Sequence, residues 1–361
     1  MSNTAIALIS VIYAGGNVLG LGRGMTAAWP IVAAALLLPS SVATEPLQDQ
    51  VPRFKSSVDI VSVNAVVRDR KGRFVRGLDQ RDFMIAEGNE SRPILDFHAE
   101  TDGPVRLGVL VDASGSMRVG RKAVDARETA RQLFSALRDQ DTAAVFSFDT
   151  RLDRVTDFTS DGTVLERSLE QLNPPFGQTS LYDAIGEAAG FVAGRGRTDG
   201  RLPQRTALVV LTDGIDTKSR STTEQVTAIA SRIDVPVYII AVMSPIDDPR
   251  TDENPAFDAT GLRELALGTG GEMFLATAPA HASVAARQIV GELRHQYVLA
   301  FEASTRPGWR PLRVTARDKT LVVRARTGYS AGGSDRPASG NSAGASFESA
   351  VVLPAAAGGA L

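Results

Sequence analysis

Hydrophobic positions recur with two different periods along this chain, and the change of period marks its parts. From Val58 the pattern alternates, with Val61, Val63, Ala65 and Val67 on one side and Ser62, Asn64 and Arg68 on the other, which predicts a half-buried strand. Asp69–Gly72 reads as a turn, Arg73–Arg76 as the start of a second strand, and Met84–Gly88 and Pro93–Phe97 as further short strands. Gln296–Glu302, Arg310–Arg317 and Leu321–Arg326 show similar patterning much later in the chain. About forty residues are few for an independent sandwich, so the two groups are expected to build one antiparallel β-sandwich together.

Between these flanks, uninterrupted apolar runs alternate with helical periods. Leu107–Val111, Thr142–Phe148, Ala207–Leu211, Val237–Val242 and Met273–Leu275 read as buried strands. Residues 116–138, 165–172, 180–192, 223–233, 261–267 and 282–293 read as helices, the first beginning at Ser116 with Ala123, Ala126, Ala130, Leu133, Phe134 and Leu137 on its apolar face. Such alternation predicts an α/β fold: a doubly wound, mostly parallel sheet covered on both faces. The expected layout is a signal peptide or N-terminal anchor over 1–43, a linker over 44–55, sandwich strands over 56–103, the α/β domain over 104–293, returning sandwich strands over 294–329, and a Gly-, Ala- and Ser-rich tail over 330–361.

The candidate chemistry sits where buried strands end. After Leu107–Val111 comes Asp112-Ala-Ser114-Gly-Ser116, with a carboxylate and two hydroxyls on alternate residues. Gly177-Gln-Thr179 supplies a third hydroxyl before a helix, and Thr212-Asp213-Gly214 supplies a second carboxylate after Ala207–Leu211. Hard oxygen donors of this kind suit a hard divalent cation. In an open parallel sheet, loops at the carboxyl ends of the strands converge on one point.

Together, Asp112, Ser114, Ser116, Thr179 and Asp213 resemble the metal-ion-dependent adhesion site of von Willebrand factor type A domains. That resemblance covers roughly residues 104–290 and implies a Rossmann-like domain in which the two serines and the threonine contact Mg²⁺ directly and the carboxylates act partly through water. It also implies that an acidic residue of a protein partner completes the coordination. Mn²⁺ or Ca²⁺ remain open alternatives. The flanking pattern, V-x-V before a D-x-x-G turn, then Gly77-Leu78…Asp82-Phe83 and Glu87-Gly88, with Arg326-Thr-Gly-Tyr329 after the domain, resembles the VWFA-related acidobacterial-type proteins.

Composition narrows the remaining classes. The chain has 361 residues, 43% hydrophobic and 22% charged, with a formal net charge of −2, which gives no electrostatic case for nucleic acid. The absence of cysteine excludes disulfides, thiolate metal sites and cysteine nucleophiles. Trp29–Leu38, following Arg23 and ending in Ser41-Val42-Ala43, has the parts of a secretory signal. Ala5–Leu21 leaves membrane attachment as a second reading, although it is short of the ~20 residues of a span. Export to the periplasm, the cell surface or the medium is therefore expected.

A hydrolase is disfavoured. Aspartyl-phosphate enzymes need a second acidic residue where Ser114 stands, and His98, His281 and His295 lie outside the three loops. Asp149 is a weaker candidate for a water-mediated contact to the ion, and Asp183 is expected to support the threonine loop. Arg195, Arg197, Arg201 and Arg205 read as solvated and remote from the metal face. The function expected is a metal-dependent protein-binding module for adhesion or assembly, without enzymatic activity. A metal-independent structural envelope protein is the alternative. Neither the partner nor the oligomeric state is specified.

Overall fold

A computed structural model describes residues 59–101, 103–194, 205–232, 234–243 and 259–331, all within one compact unit, Ser56–Leu361. The expected signal or anchor, the linker, all but the first two residues of the expected tail, and Arg195, Arg197 and Arg201 lie outside the described residues.

The chain enters through four strands: β1 (Ile60–Arg68), β2 (Phe83–Glu87), β3 (Glu90–Arg92) and β4 (Ile94–Thr101). The α/β part follows, with β5 (Val105–Asp112), α1 (Lys122–Ser135), β6 (Thr142–Phe148), β7 (Leu152–Thr159), α2 (Gly162–Glu170), α3 (Leu181–Gly194) and β8 (Arg205–Thr212). It continues through α4 (Thr223–Arg232), β9 (Val237–Val242), α5 (Ala259–Gly268), β10 (Met273–Ala276) and α6 (Pro279–Arg294). Four more strands complete the described chain: β11 (His295–Glu302), β12 (Gly308–Ala316), β13 (Val322–Ala325) and β14 (Gly328–Ala331).

The central sheet has the order β10-β9-β8-β5-β6-β7, parallel except for β7. Successive residues of its strands point to opposite faces, so each strand feeds two cores. Val105, Leu107, Val109 and Val111 pack with α1, α2 and α6, whereas Leu110 packs with the face covered by α3, α4 and α5. This double cover explains why β5, β8 and β9 are apolar without alternation.

Two four-stranded antiparallel sheets, β13-β1-β11-β4 and β14-β12-β2-β3, combine strands from before and after the central sheet. One hydrophobic cluster, including Val63, Phe83, Ile85, Leu299, Phe301 and Val314, joins both. The seam to the α/β part is ionic. Glu292 of α6 is fully buried and bonds Arg68 of β1 and Arg324 of β13, and it accepts a 2.8 Å hydrogen bond from Tyr238 of β9.

Several local expectations need correction. The helix expected from Ser116 to Arg138 is a 3-10 turn over Gly115–Arg118 followed by α1 from Lys122. Gly120 adopts φ 62°, a left-handed conformation that breaks the helix and is easy only for glycine. Arg73–Arg76 is not a strand: it makes a single bridge, Arg68 to Phe74, and the Phe74 ring stacks on His295. The segment after Asp149 contains the unanticipated edge strand β7, whose pairing with β6 has register shifts that spoil a two-residue period. The charged β3 carried no hydrophobic signal, and β14 takes the first two residues assigned to the tail. Among the described residues no helix is long and apolar enough to cross a membrane.

Candidate functional site

The central strand β5 has β6 on one side and β8 on the other, and α1, which leads from β5 to β6, and α3, which precedes β8, cover opposite faces. A crevice forms beyond the carboxyl ends at such a point. Val111 of β5 is level with Leu211 of β8, which brings Asp112 beside Thr212. Thr212 Oγ1 donates to Asp112 Oδ2 at 2.6 Å, and the Ser114 amide donates to Asp112 Oδ1 at 2.8 Å. Both carboxylate oxygens are thereby fixed.

From this anchor a chain of oxygens runs across the site. Ser114 Oγ and Ser116 Oγ lie 3.0 Å apart, and Ser116 Oγ donates to Asp213 Oδ1 at 3.2 Å. Four of the five candidate residues are therefore gathered into one hydrogen-bonded set. Asp112, Ser114 and Asp213 are buried, and Ser116 is half-buried.

Thr179, also buried, arrives on a loop tied to the first one by backbone. The Gly115 amide donates to Gly177 O at 3.0 Å and the Phe176 amide to Ala113 O at 2.9 Å. A Cβ on Gly115 would stand 2.9 Å from Gly177 O, so only glycine allows this approach. Thr179 itself is held through its main chain: its amide donates to Thr217 Oγ1 at 2.9 Å, and its carbonyl accepts from the amides of Thr217 and Lys218.

The loop after Asp213 and the start of α3 hold each other. Asp216 Oδ1 accepts from the Leu181 amide at 2.8 Å and Ser219 Oγ from the Tyr182 amide at 2.9 Å, which supplies partners for the free amides of the helix N-terminus. In return, the Asp183 carboxylate accepts from the amides of Arg220 and Ser221. Burial works to raise the Asp183 carboxyl, but these hydrogen bonds outweigh it and hold the group below its usual range. Asp149 is absorbed by its own turn, accepting from Thr150 and Arg151. Arg205 is buried at the start of β8, level with Val105 and at the opposite end of the sheet from the site.

The electrostatics turn on a residue that sequence reasoning missed. Lys122, the first residue of α1, is 2% exposed and places Nζ 3.0 Å from Asp213 Oδ2. Its sequence signal was faint but present: Lys122 stands four residues before Ala126, on the same buried stripe. Burial, and then the Asp213 carboxylate, push the Asp112 carboxyl up to about 7.

Among the described residues no three His, Cys, Asp or Glu side chains gather at metal-binding spacing. A cation here therefore depends on the hydroxyls. Two buried carboxylates and neighbouring hydroxyls, all hard oxygens, fit a small divalent cation by the chemistry of the donor set.

Residues 107–215 match the family model of the von Willebrand factor type A domain. Over these residues the chain matches a von Willebrand factor type A domain. Domains of this family commonly mediate protein interactions, sometimes bind metal, and are generally not enzymes. No curated protein matches the chain.

Similar solved structures include an aerotolerance-related membrane protein from Bacteroides fragilis, 19% identical, covering 52% of this chain and 98% of that one, with a TM-score of 0.42. A von Willebrand factor type A protein from Catenulispora acidiphila is 12% identical, covers 67% of this chain and 75% of its own, and has a TM-score of 0.42. The manganese-loaded TRAP protein of Plasmodium vivax is 14% identical, covers 64% of this chain and 96% of its own, and has a TM-score of 0.40.

Proposed function

We propose that this protein is a divalent-cation-dependent protein-binding module. Asp112, Ser114, Ser116, Thr179 and Asp213 hold Mg²⁺, with Mn²⁺ or Ca²⁺ as alternatives, and a partner's Asp or Glu completes the coordination. The observation that carries this reading is the hydrogen-bonded set at the carboxyl ends of β5 and β8, in which the Ser114 amide holds Asp112 and the Ser114 and Ser116 hydroxyls lead on to Asp213. The cation supplies a positive centre that a carboxylate can ligate, while the protein orients the donors.

The rim supports the same choice of partner. Arg118, Lys218 and Arg220 are exposed around these loops, and Phe176, on the threonine loop, is 74% exposed. Basic side chains attract an acidic partner and an exposed aromatic ring offers an anchor. Export, with the flanking sheets as a spacer beside the α/β domain, completes the proposal and rests on the sequence of residues 1–43.

A second reading, a metal-independent structural module, is favoured by one feature: Lys122 already neutralises Asp213. Calorimetric titration separates the two. Mg²⁺ or Mn²⁺ binds the wild-type chain saturably and fails to bind Asp112→Ala under the first reading. Equal, featureless titrations for both proteins would support the second.

A further inference from the structure

The buried lysine at the site is unusual on three counts. An ammonium in the first turn of a helix opposes the helix dipole, which favours anions there. Its burial at 2% exposure removes its hydration, and it ion-pairs with Asp213, itself 1% exposed, on the loop after β8. Neither helix propensity nor packing explains a charge at this position; the Asp213 carboxylate does.

The pairing also divides the labour of that carboxylate. Oδ2 faces Lys122 at 3.0 Å, and Oδ1 faces Ser116 at 3.2 Å. With both carboxylates ionised, as ligation of a cation requires, two carboxylates and one ammonium give the set a formal single negative charge. A divalent cation converts this to a single positive charge, whereas without the lysine the loaded set would be neutral.

We propose that Lys122 couples metal binding to anion binding at this site: by neutralising Asp213 it leaves the cation-loaded site one positive charge in excess, so that the ion is held firmly only when a carboxylate from outside the chain binds with it. The inference rests on the metal-site reading given above and adds a regulatory residue to it. Lys122 is a positioning residue. It acts through Asp213 and makes the module responsive to its partner rather than permanently loaded.

Mn²⁺ titrations of the full chain test this, run in chloride and in acetate buffers of equal ionic strength, with acetate as the carboxylate probe. Wild type is expected to bind Mn²⁺ more tightly in acetate. Lys122→Met should bind Mn²⁺ on the order of tenfold more tightly in chloride, because a cation–cation repulsion is removed, and should lose the acetate gain. Lys122→Arg, which keeps the charge, should behave as wild type.

The cation-free melting temperature of Lys122→Met should fall by on the order of 5 °C or more and recover on adding Mn²⁺. Should that variant fail to fold, Lys122→Gln, which is neutral but can still donate a hydrogen bond to Asp213, takes its place with the same expected outcomes in chloride and in acetate. Mn²⁺ affinity in the neutral variant no tighter than wild type, or an undiminished acetate gain there, overturns the coupling while leaving the metal site intact. No Mn²⁺ binding by wild type in either buffer overturns the metal site and the coupling together.

Discussion

Individual residues in the site have separable consequences. Asp112 is the best gauge of its electrostatics, because its carboxyl titrates near 7 when folded and near 3.8 when unfolded. Between those values the folded state holds the extra proton, so the cation-free protein loses stability as pH rises from about 4 to about 7. Denaturation with chelator present should show that decline in wild type and a weaker one in Asp112→Asn. Thr212→Val removes the 2.6 Å donor to Asp112 Oδ2 and should cost about 1–3 kcal/mol in the same assay. The oxygen donors were legible in sequence because Asp, Ser and Thr stand where apolar runs stop. Lys122 was not, because a lysine after Gly120-Arg121 reads as solvent-facing until α1 turns it inward against Asp213.

Elements set how closely the loops approach. Gly115 lets the turn after β5 meet the threonine loop, and the caps between α3 and the loop over 214–222 fix that loop in turn. Gly115→Ala forces a Cβ to within 2.9 Å of Gly177 O, so the loops must separate, at about 1–3 kcal/mol. Thermal melts and Mn²⁺ titration should both register the change, with the loss of Mn²⁺ affinity exceeding what the drop in stability implies. The parallel strands were readable because burial on both faces demands unbroken apolar runs. β7 escaped because Leu152, Val155 and Phe158 are spaced at three along a strand whose ladder is irregular. The start of α1 was misplaced because Ser116 reads as a helix start, and only the φ of Gly120 reveals the backbone break that follows it.

At the scale of the whole molecule, the α/β domain and the flanking sheets share the Glu292 network. Removing one partner of a buried ion cluster leaves the others uncompensated, so Glu292→Ala should cost about 3–5 kcal/mol, seen as a lower denaturation midpoint. Glu292 was invisible in the sequence as a buried group, since its partners Arg68 and Arg324 come from opposite ends of the described chain. The site itself lies at the far end of the central sheet's strands from Arg205 and Val105, where the chain presents its basic rim. The most direct test of the central claim is anomalous diffraction from crystals of the full chain grown with Mn²⁺. The account predicts one strong peak among Ser114 Oγ, Ser116 Oγ and Thr179, at about 2.1 Å from the hydroxyl oxygens. Ordered density for these loops and for the Lys122–Asp213 pair, with no peak between them, would contradict it.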